Sequence, residues 1–233
     1  MSTAERAPTR PSHQPAPHLR RRQARADATR TALLDAALTE FAANGFEGTS
    51  TRAIAERAGT HQPQINYHFD SKDALWRAAV DHLFDRLDEA MRSHQTTDGP
   101  EGPGPDDVTP VTRESFAAMI RAFVRAVAEL PELNRIMVLE ATMDSSRLAW
   151  IVDHHTTARY RLLTTQWSEL RAAGAVRDID PAVAYYSLIG AASLAYVNAP
   201  EARLLGQDTS EASFIESHAD ALLSMVLGEE DAA

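Results

Sequence analysis

The chain has 233 residues, is 44% hydrophobic, contains no cysteine and carries a formal net charge of −10. This length is enough for one large domain, or for a small domain followed by a larger one, with a sizeable buried core. The absence of cysteine excludes disulfides, thiolate zinc sites and cysteine nucleophiles.

The chain shows no pattern typical of a membrane span or of a secretory signal. Its most apolar run, residues 182–197, is shorter than the roughly 20 residues that cross a bilayer. Residues 1–25 contain arginines but no apolar stretch of the kind found in signal peptides. We therefore expect a cytoplasmic protein without a membrane partner.

Positive charge is concentrated at the N-terminus. Residues 1–30 carry seven arginines against two acidic residues, a net of +5, which leaves −15 for the rest of the chain. A basic end on an acidic body indicates a polyanion bound at that end. Residues 1–26, with four prolines and little that is apolar, are predicted to be a disordered basic arm. A solubilising tail with incidental arginines is the alternative.

Three helices are predicted between residues 27 and 72. The first begins at Asp27, carries Leu34, Leu38 and Phe41 on one face, and stops at Asn44–Gly45. The second covers residues 51–58, with Thr49 offered as its N-cap and a glycine at its end.

The third helix is predicted to begin at Pro63, where the missing N–H costs nothing. Ile65 and Phe69, four residues apart, are the side chains able to anchor it. The rest of this helix is polar, and it lacks the Glu and Lys spacing of an ordinary solvated helix.

Longer helices dominate the remaining sequence. A fourth helix, capped by Asp70 or Ser71, has an apolar stripe that continues to Met91. Residues 96–110 are rich in glycine, proline and acid and predict a loop. Further helices are predicted within residues 116–130, 131–143, 146–174 and 181–197, with a turn at 199–201 and a final helix near 215–226. No sustained alternation of period two occurs, so we expect an all-α fold.

Two short helices joined by a glycine-containing turn are typical of a helix-turn-helix, whose second helix enters the major groove of DNA. Amide side chains such as Gln64 and Asn66 donate and accept together, as an adenine edge requires. Tyrosine, histidine and lysine side chains reach phosphate oxygens. The sequence therefore predicts a DNA reader. A solvated helix in a small bundle, or a helix-turn-helix used for protein contacts, are the alternatives.

Residues 45–76, GFEGTSTRAIAERAGTHQPQINYHFDSKDALW, resemble the DNA-binding domain of the TetR family of transcriptional repressors. The family pattern reads Gly-Phe, a capping Thr, Ile-Ala-x-x-Ala-Gly and then His-Phe-x-x-Lys-x-x-Leu. The match is direct over about residues 29–83. It implies a three-helix helix-turn-helix domain over residues 27–72 and a larger helical domain for ligand binding and dimerisation over residues 73–233.

The resemblance implies roles for individual residues. Thr51 and Arg52 match positions that contact a phosphate and a guanine, and Gln62 and Pro63 match the head of the recognition helix. Asn66 replaces the family's usual tyrosine, and Thr60 its usual valine, so the operator sequence is not transferable from a relative. The predicted DNA-binding residues are Arg22, Arg25, Thr51, Arg52, Gln62, Pro63, Gln64, Asn66, Tyr67, His68 and Lys72. Of these, the two N-terminal arginines are expected to enter the neighbouring minor groove.

Regulators of this family are two-fold dimers, which implies that the last two long helices of each subunit form a four-helix bundle. Gly190 to Ser193 permit close helix approach, and the final helix has a long apolar stripe. The alternative is that both helices bury into their own subunit. A two-fold dimer presents its recognition helices roughly 34–36 Å apart and reads a near-palindrome.

The family also implies a pocket for a small effector, mostly hydrophobic with one polar handle, whose binding releases the repressor from its operator. The predicted lining residues are Phe84, Met91, Phe123, Met137, Glu140, Trp150, His155 and Tyr186. For each of these, plain core packing is the alternative.

No motif of an enzyme occurs in the sequence, such as a glycine-rich phosphate loop, G-x-S-x-G or H-E-x-x-H. We expect no cofactor, no metal and no enzymatic activity. The alternative is a helical-bundle metal protein or enzyme built from His82, Glu140, His154 and His155. The Glu-x-x-His spacing of such bundles is absent.

Overall fold

A computed structural model of the chain describes residues 17–98 and 111–227. Every regular element within these ranges is helical, which confirms the all-α prediction. None of these helices is long and apolar enough to cross a membrane. The helices are α1 (Pro17–Gly48), α2 (Thr51–Arg57), α3 (Gln62–His68), α4 (Lys72–Asp98), α5 (Arg113–Glu129), α6 (Pro131–Ala141), α7 (Ser146–Ile151), α8 (Thr157–Ala172), α9 (Pro181–Val197), α10 (Ala199–Leu204) and α11 (Ala212–Leu227).

Helix α1 begins ten residues earlier than predicted, so residues 17–26 are helical and the predicted disordered arm is wrong there. The Gln23 amide donates to the Asp27 carboxylate at 2.9 Å, one helical turn away. Such pairs extend a helix that is already anchored by a buried face. Residues 1–16 of the predicted arm lie outside the described ranges. At the other end the chain turns at Gly45, which has a φ of 67°, as the predicted stop requires.

The cap of α2 is Ser50 and not Thr49. The Ser50 hydroxyl accepts a hydrogen bond from the Ala53 N–H. Thr49 is buried, and its hydroxyl donates to the carbonyl oxygens of Glu40 and Gly45 at 3.1 and 2.8 Å. Thr49 therefore closes the end of α1, and the neighbouring serine caps the next helix.

Helix α4 connects the N-terminal helices to the rest of the molecule. The Ser71 hydroxyl accepts from the Ala74 N–H, which confirms the predicted cap. The helix packs against both α1 and α5, and its buried side chains include Trp76 and Leu83. It continues to Asp98, into the predicted loop, whereas residues 99–110 lie outside the described ranges. One hydrophobic core thus runs from α1 to α11.

The helix predicted over residues 146–174 is interrupted. A π turn, Val152–Thr156, lies between α7 and α8, and the chain leaves α8 through Gly174, which has a φ of 70°. A π turn adds a residue to the helical repeat and so changes which side chains face the core. Periodicity alone does not reveal such an insertion.

The C-terminal helices follow the predicted order. The Asp180 carboxylate accepts from the N–H groups of Ala182 and Val183, and Pro181 takes the first position of α9. The predicted turn at 199–201 is instead the start of the short helix α10. Helix α11 packs on α5 and α9.

Candidate DNA-binding surface and ligand site

Helix α3 has the surface that its sequence predicts. Ile65 and Phe69 are 1% and 6% exposed, and Phe69 follows the last residue of the helix. The side chains of the predicted reading positions are exposed, with Tyr67 at 72%. These positions are Gln62, Pro63, Gln64, Asn66 and Tyr67. The amides and the phenol therefore lie on the outer side of α3. Its inner side is held against the core by Ile65 and by Phe69, the residue that follows the helix.

Helix α2 fixes the position of α3. The Arg57 Nε donates to the Glu40 carboxylate at 2.6 Å, which ties α2 to α1. The turn from α2 to α3 passes through Gly59, with a φ of 65°, and the Gln62 amide donates to the Thr51 hydroxyl at 3.3 Å. Thr51 and Gln62 are both predicted DNA-binding residues, and they begin α2 and α3. Their contact therefore brings the N-terminal ends of the two helices to one surface.

Arg52 lies on the exposed side of α2. Its Nε donates to the Glu56 carboxylate at 2.9 Å, and the two side chains are 80% and 65% exposed. An exposed pair one turn apart on a helix contributes little to stability. Arg52 can therefore exchange this partner for a base or a phosphate at small cost.

The N-terminal part of α1 lies beside α3 and encloses a cleft of about 440 Å³. Arg22 and Arg25 line it beside residues of α3, as part of a helix and not as an arm. The cleft also includes side chains that sequence reasoning missed, Thr29 and His61 among them. The lining residues are Arg22, Arg25, Ala26, Thr29, Thr60, His61, Gln64, Tyr67 and His68.

The chemistry of this cleft suits a polyanion. Two guanidinium groups, two imidazoles, a phenol and an amide line it, and all of these groups can donate hydrogen bonds to phosphate oxygens. Arg22, Arg25 and Thr29 are spaced three and four residues apart, which places them on one face of a helix. That spacing was a sequence signal for a shared surface, provided that the segment is taken as helical.

Lys72 begins α4, four residues after the end of α3. Its Nζ lies 4.4 Å from the centroid of the Phe46 ring, and the side chain is half-buried. The resemblance implies a contact between Lys72 and a DNA phosphate. Its contact with Phe46 was not predicted.

Three of the predicted ligand residues come together between α4 and the π turn. The His155 ring stacks on Phe84 at 4.2 Å with an interplanar angle of 4°, and the Trp150 ring lies 5.3 Å from His155. His155 also forms a hydrogen bond with the Asp81 carboxylate at 2.9 Å. Burial lowers the pKa of His155, and the Asp81 carboxylate opposes this shift. The neutral imidazole is thus a polar group in aromatic surroundings.

The other predicted ligand residues lie in different places. Met91, Phe123 and Met137 are partly buried and pack against the core. Glu140 is buried and receives hydrogen bonds from Arg147, so its carboxylate is already paired. Tyr186 is 72% exposed on α9, apart from the aromatic cluster of Phe84, Trp150 and His155.

The alternative metal site is not assembled. Within residues 17–98 and 111–227, no group of three or more histidine and carboxylate side chains is able to hold a metal ion. His82 pairs with Asp35, and the His154 ring contacts the Trp150 carbonyl. Each candidate ligand therefore has a separate partner.

The last two long helices, α9 and α11, differ in how much of their apolar surface is buried. The apolar stripe of α11, including Ala219, Leu222 and Leu223, is buried against its own subunit. On α9, by contrast, Val183, Tyr186 and Leu194 are 55%, 72% and 59% exposed. Of these two helices α9 therefore carries the larger group of exposed apolar side chains, while on α11 Met225 is 61% exposed.

Comparisons with known proteins agree with this architecture. Residues 33–79 match the family described as bacterial regulatory proteins, tetR family. The repressor KstR2 of Rhodococcus jostii is 41% identical over 68 residues, which are 28% of this chain and 33% of that protein. The regulator RutR of Escherichia coli is 38% identical over 119 residues, 48% of each chain. The chain thus spans a third to about half of the length of these relatives.

Solved structures share the fold over most of the chain. AibR, solved with isovaleryl coenzyme A and operator DNA, superposes with a TM-score of 0.66 and 22% identity, covering 87% of this chain and all of that one. FadR from Bacillus subtilis, solved with stearoyl-CoA, gives a TM-score of 0.58 and 16% identity, covering 83% of this chain and 97% of that one. At these identities the likeness establishes the fold alone.

The relatives are transcriptional regulators, in agreement with the prediction that the chain is not an enzyme. The family match covers α1 from residue 33 onward, α2, α3 and α4 up to residue 79. The helix-turn-helix part of the chain, residues 33–79, therefore matches the tetR family of bacterial regulatory proteins.

Proposed function

We propose that the protein is a DNA-binding transcriptional regulator that reads its operator with α3. The observation that carries this proposal is the exposure of the amides and the tyrosine of α3 beside a cleft lined by Arg22 and Arg25. Gln64 and Asn66 are assigned to base edges. The arginines, Tyr67, His68 and Lys72 are assigned to the phosphate backbone.

The regulator acts as a homodimer joined through α9. The exposed Val183, Tyr186 and Leu194 are three and eight residues apart along the helix, so they line one side of it. Gly190 and Ala191 lie on the exposed side as well, and small residues permit close approach of a second helix. A two-fold dimer reads a near-palindrome with half-sites about one DNA turn apart.

A small, mostly hydrophobic effector releases the repressor from the operator. The assigned site is the aromatic cluster of Phe84, Trp150 and His155, which lies against α4, the helix that begins at the reading surface. An effector that binds one arrangement of α4 better than another shifts the population towards it. Two fold neighbours were solved with acyl-CoA thioesters, so these are the first ligands to assay.

The test is selection of a randomised duplex pool on the purified protein, followed by sequencing of the retained DNA. We expect a near-palindromic consensus for the wild type and a loss of enrichment for Arg25→Ala. Arg203→Ala is the matched control, since this exposed arginine lies on α10, and it should enrich the same consensus. Retention of DNA without any consensus would refute the proposal, and a consensus without inverted symmetry would refute the dimer.

A further inference from the structure

The Phe46 ring is shared by two cations from different parts of the chain. The Lys72 Nζ lies over the ring at 4.4 Å from its centroid, and the guanidinium carbon of Arg147 lies over it at 4.2 Å. The ring also packs on Phe41 and Trp76, with centroid distances of 5.8 and 6.4 Å. Because Lys72 begins α4 and Arg147 belongs to α7, the ring joins the DNA-binding surface to the C-terminal helices.

Arg147 is held in one orientation. Its Nε donates to the two carboxylate oxygens of Glu140 at 3.0 and 3.2 Å, and the Ser145 hydroxyl donates to the same carboxylate at 3.4 Å. The Arg147 and Glu140 side chains are 15% and 6% exposed. Separating a buried pair of this kind leaves an uncompensated charge, so the pair keeps its geometry.

We propose that Arg147 is a positioning residue for DNA binding: with Glu140 it holds the Phe46 ring, and that ring holds the Lys72 ammonium where a DNA phosphate binds. This inference rests on the proposed DNA-binding function.

The physical reason lies in the flexibility of lysine. A lysine side chain loses rotamer entropy when it binds a phosphate. An aromatic ring beneath the ammonium restricts the side chain before DNA binds, so part of that cost is already met in the unbound protein. An ammonium over a ring keeps N–H donors for a phosphate. A shift of Arg147 would move the Phe46 ring and so change how far the Lys72 side chain is restricted before DNA binds.

Lys72 can be observed directly, because it is the single lysine of the chain. Reductive methylation with ¹³C-formaldehyde labels this side chain and the N-terminal amine, and it leaves the positive charge in place. The labelled methyl groups report the ring current of Phe46 in an NMR spectrum. This measurement needs neither DNA nor effector.

The decisive variant is Arg147→Gln combined with Glu140→Gln, which removes both charges and leaves no buried ion unpaired. The matched control is Arg159→Gln combined with Asp88→Asn. Arg159 also lies over an aromatic ring, at 4.9 Å from Phe84, and it donates to Asp88 at 2.6 and 2.8 Å. Both double variants therefore remove a guanidinium over a ring together with its carboxylate partner. Phe46→Leu tests the ring itself.

We expect the Lys72 methyl signal to move towards the position of a solvated lysine in Phe46→Leu and in the Arg147/Glu140 variant, and to stay in place in the control. Affinity for the selected operator should fall about three- to tenfold in the first two proteins. The dependence of log affinity on log salt should become less steep by about 0.9, the amount expected for one phosphate contact. A purely structural role for Arg147 would not alter that slope.

Two results would overturn the inference. The first is a Lys72 signal that is the same in the wild type and in Phe46→Leu, whatever happens to DNA binding. The second is a folded Arg147/Glu140 variant in which either the Lys72 signal or the salt slope is unchanged. Circular dichroism melts establish which variants are folded. If the double variant is unfolded, Phe46→Leu still tests whether the ring positions the Lys72 ammonium. If the wild type itself selects no DNA sequence, the proposed function fails, which is a separate outcome.

Discussion

Replacing Ile65 by alanine should detach the reading helix from its support. Helix α3 has seven residues, fewer than the roughly 12–15 that an isolated helix needs to be even marginally stable. Ile65, 1% exposed, is its buried residue. Truncation of a buried isoleucine to alanine costs about 2–5 kcal/mol, through lost burial and the cavity left behind. For a chain of this size, that cost corresponds to a melting temperature lower by roughly 4–20 °C.

The assay compares this variant with Asn66→Ala, one position along the same helix. Asn66 is exposed, so its truncation should change the free energy of unfolding by less than about 0.5 kcal/mol while weakening binding to the selected operator. Thermal unfolding followed by circular dichroism measures the first effect, and fluorescence anisotropy with labelled operator measures the second. If Ile65→Ala unfolds at the temperature of the wild type, α3 is not held by this side chain and the reasoning is wrong.

Three further changes test the remaining assignments. Lys72→Ala should weaken binding evenly across DNA sequences and make the salt slope less steep by about 0.9, whereas Gln64→Ala should relax the preference at one base position; the same behaviour in both variants would contradict the two roles. Leu194→Glu should yield monomers in analytical ultracentrifugation, and Met143→Glu, a change at an exposed residue outside α9, should not. Burial lowers the pKa of His155 below its ordinary value near 6.5. The imidazole therefore binds a proton more tightly in the unfolded chain than in the folded protein. The stability from its neutral ring is therefore complete above about pH 6.5 and is lost as the pH falls through the lower folded pKa. In denaturant melts, the free energy of unfolding of His155→Gln should not show this decrease at low pH. An equal decrease in the wild type and in His155→Gln would contradict the prediction.

The buried and exposed faces of α3 were the part of the candidate site best predicted from sequence. The alternation of Ile65 and Phe69 with amides and aromatics is a local pattern, and a helix converts such a pattern directly into a buried and an exposed face. The replacement of the family's usual tyrosine by Asn66 was also evident from the sequence, because it is a change at one position of this local pattern. The structure places Gln64, Asn66 and Tyr67 on the exposed face, as expected.

The errors arose where local patterns have two outcomes. Thr49 and Ser50 are both able to cap a helix, and the choice between them depends on whether the Thr49 hydroxyl is needed at the end of α1. Arginines near prolines read as a disordered arm, yet Arg22 and Arg25 belong to a helix that continues from an anchored one. In each case, the outcome depends on the helix that packs next to the residue or precedes it along the chain, and not on the local sequence alone.

The arrangement of the residues proposed for the ligand site was the least predictable part. Phe84, Trp150 and His155 meet because the π turn directs His155 towards α4, and hydrophobic periodicity does not encode that turn. Tyr186 lies on a helix that is apolar all round, so its sequence does not distinguish the inner side from the outer side. The apolar stripe of α11 was equally suited to a partner subunit or to α5.

The sequence by itself determined the all-α class, the order of the helices and the polar face of α3, because helical periodicity, caps and glycine turns act over a few residues. Only the tertiary structure decided which distant residues meet: Arg22 and Arg25 across a cleft from α3, and Lys72 and Arg147 on one phenylalanine ring. Those contacts depend on how helices cross and on which faces their neighbours cover. Residue spacing within a helix contains no information about either.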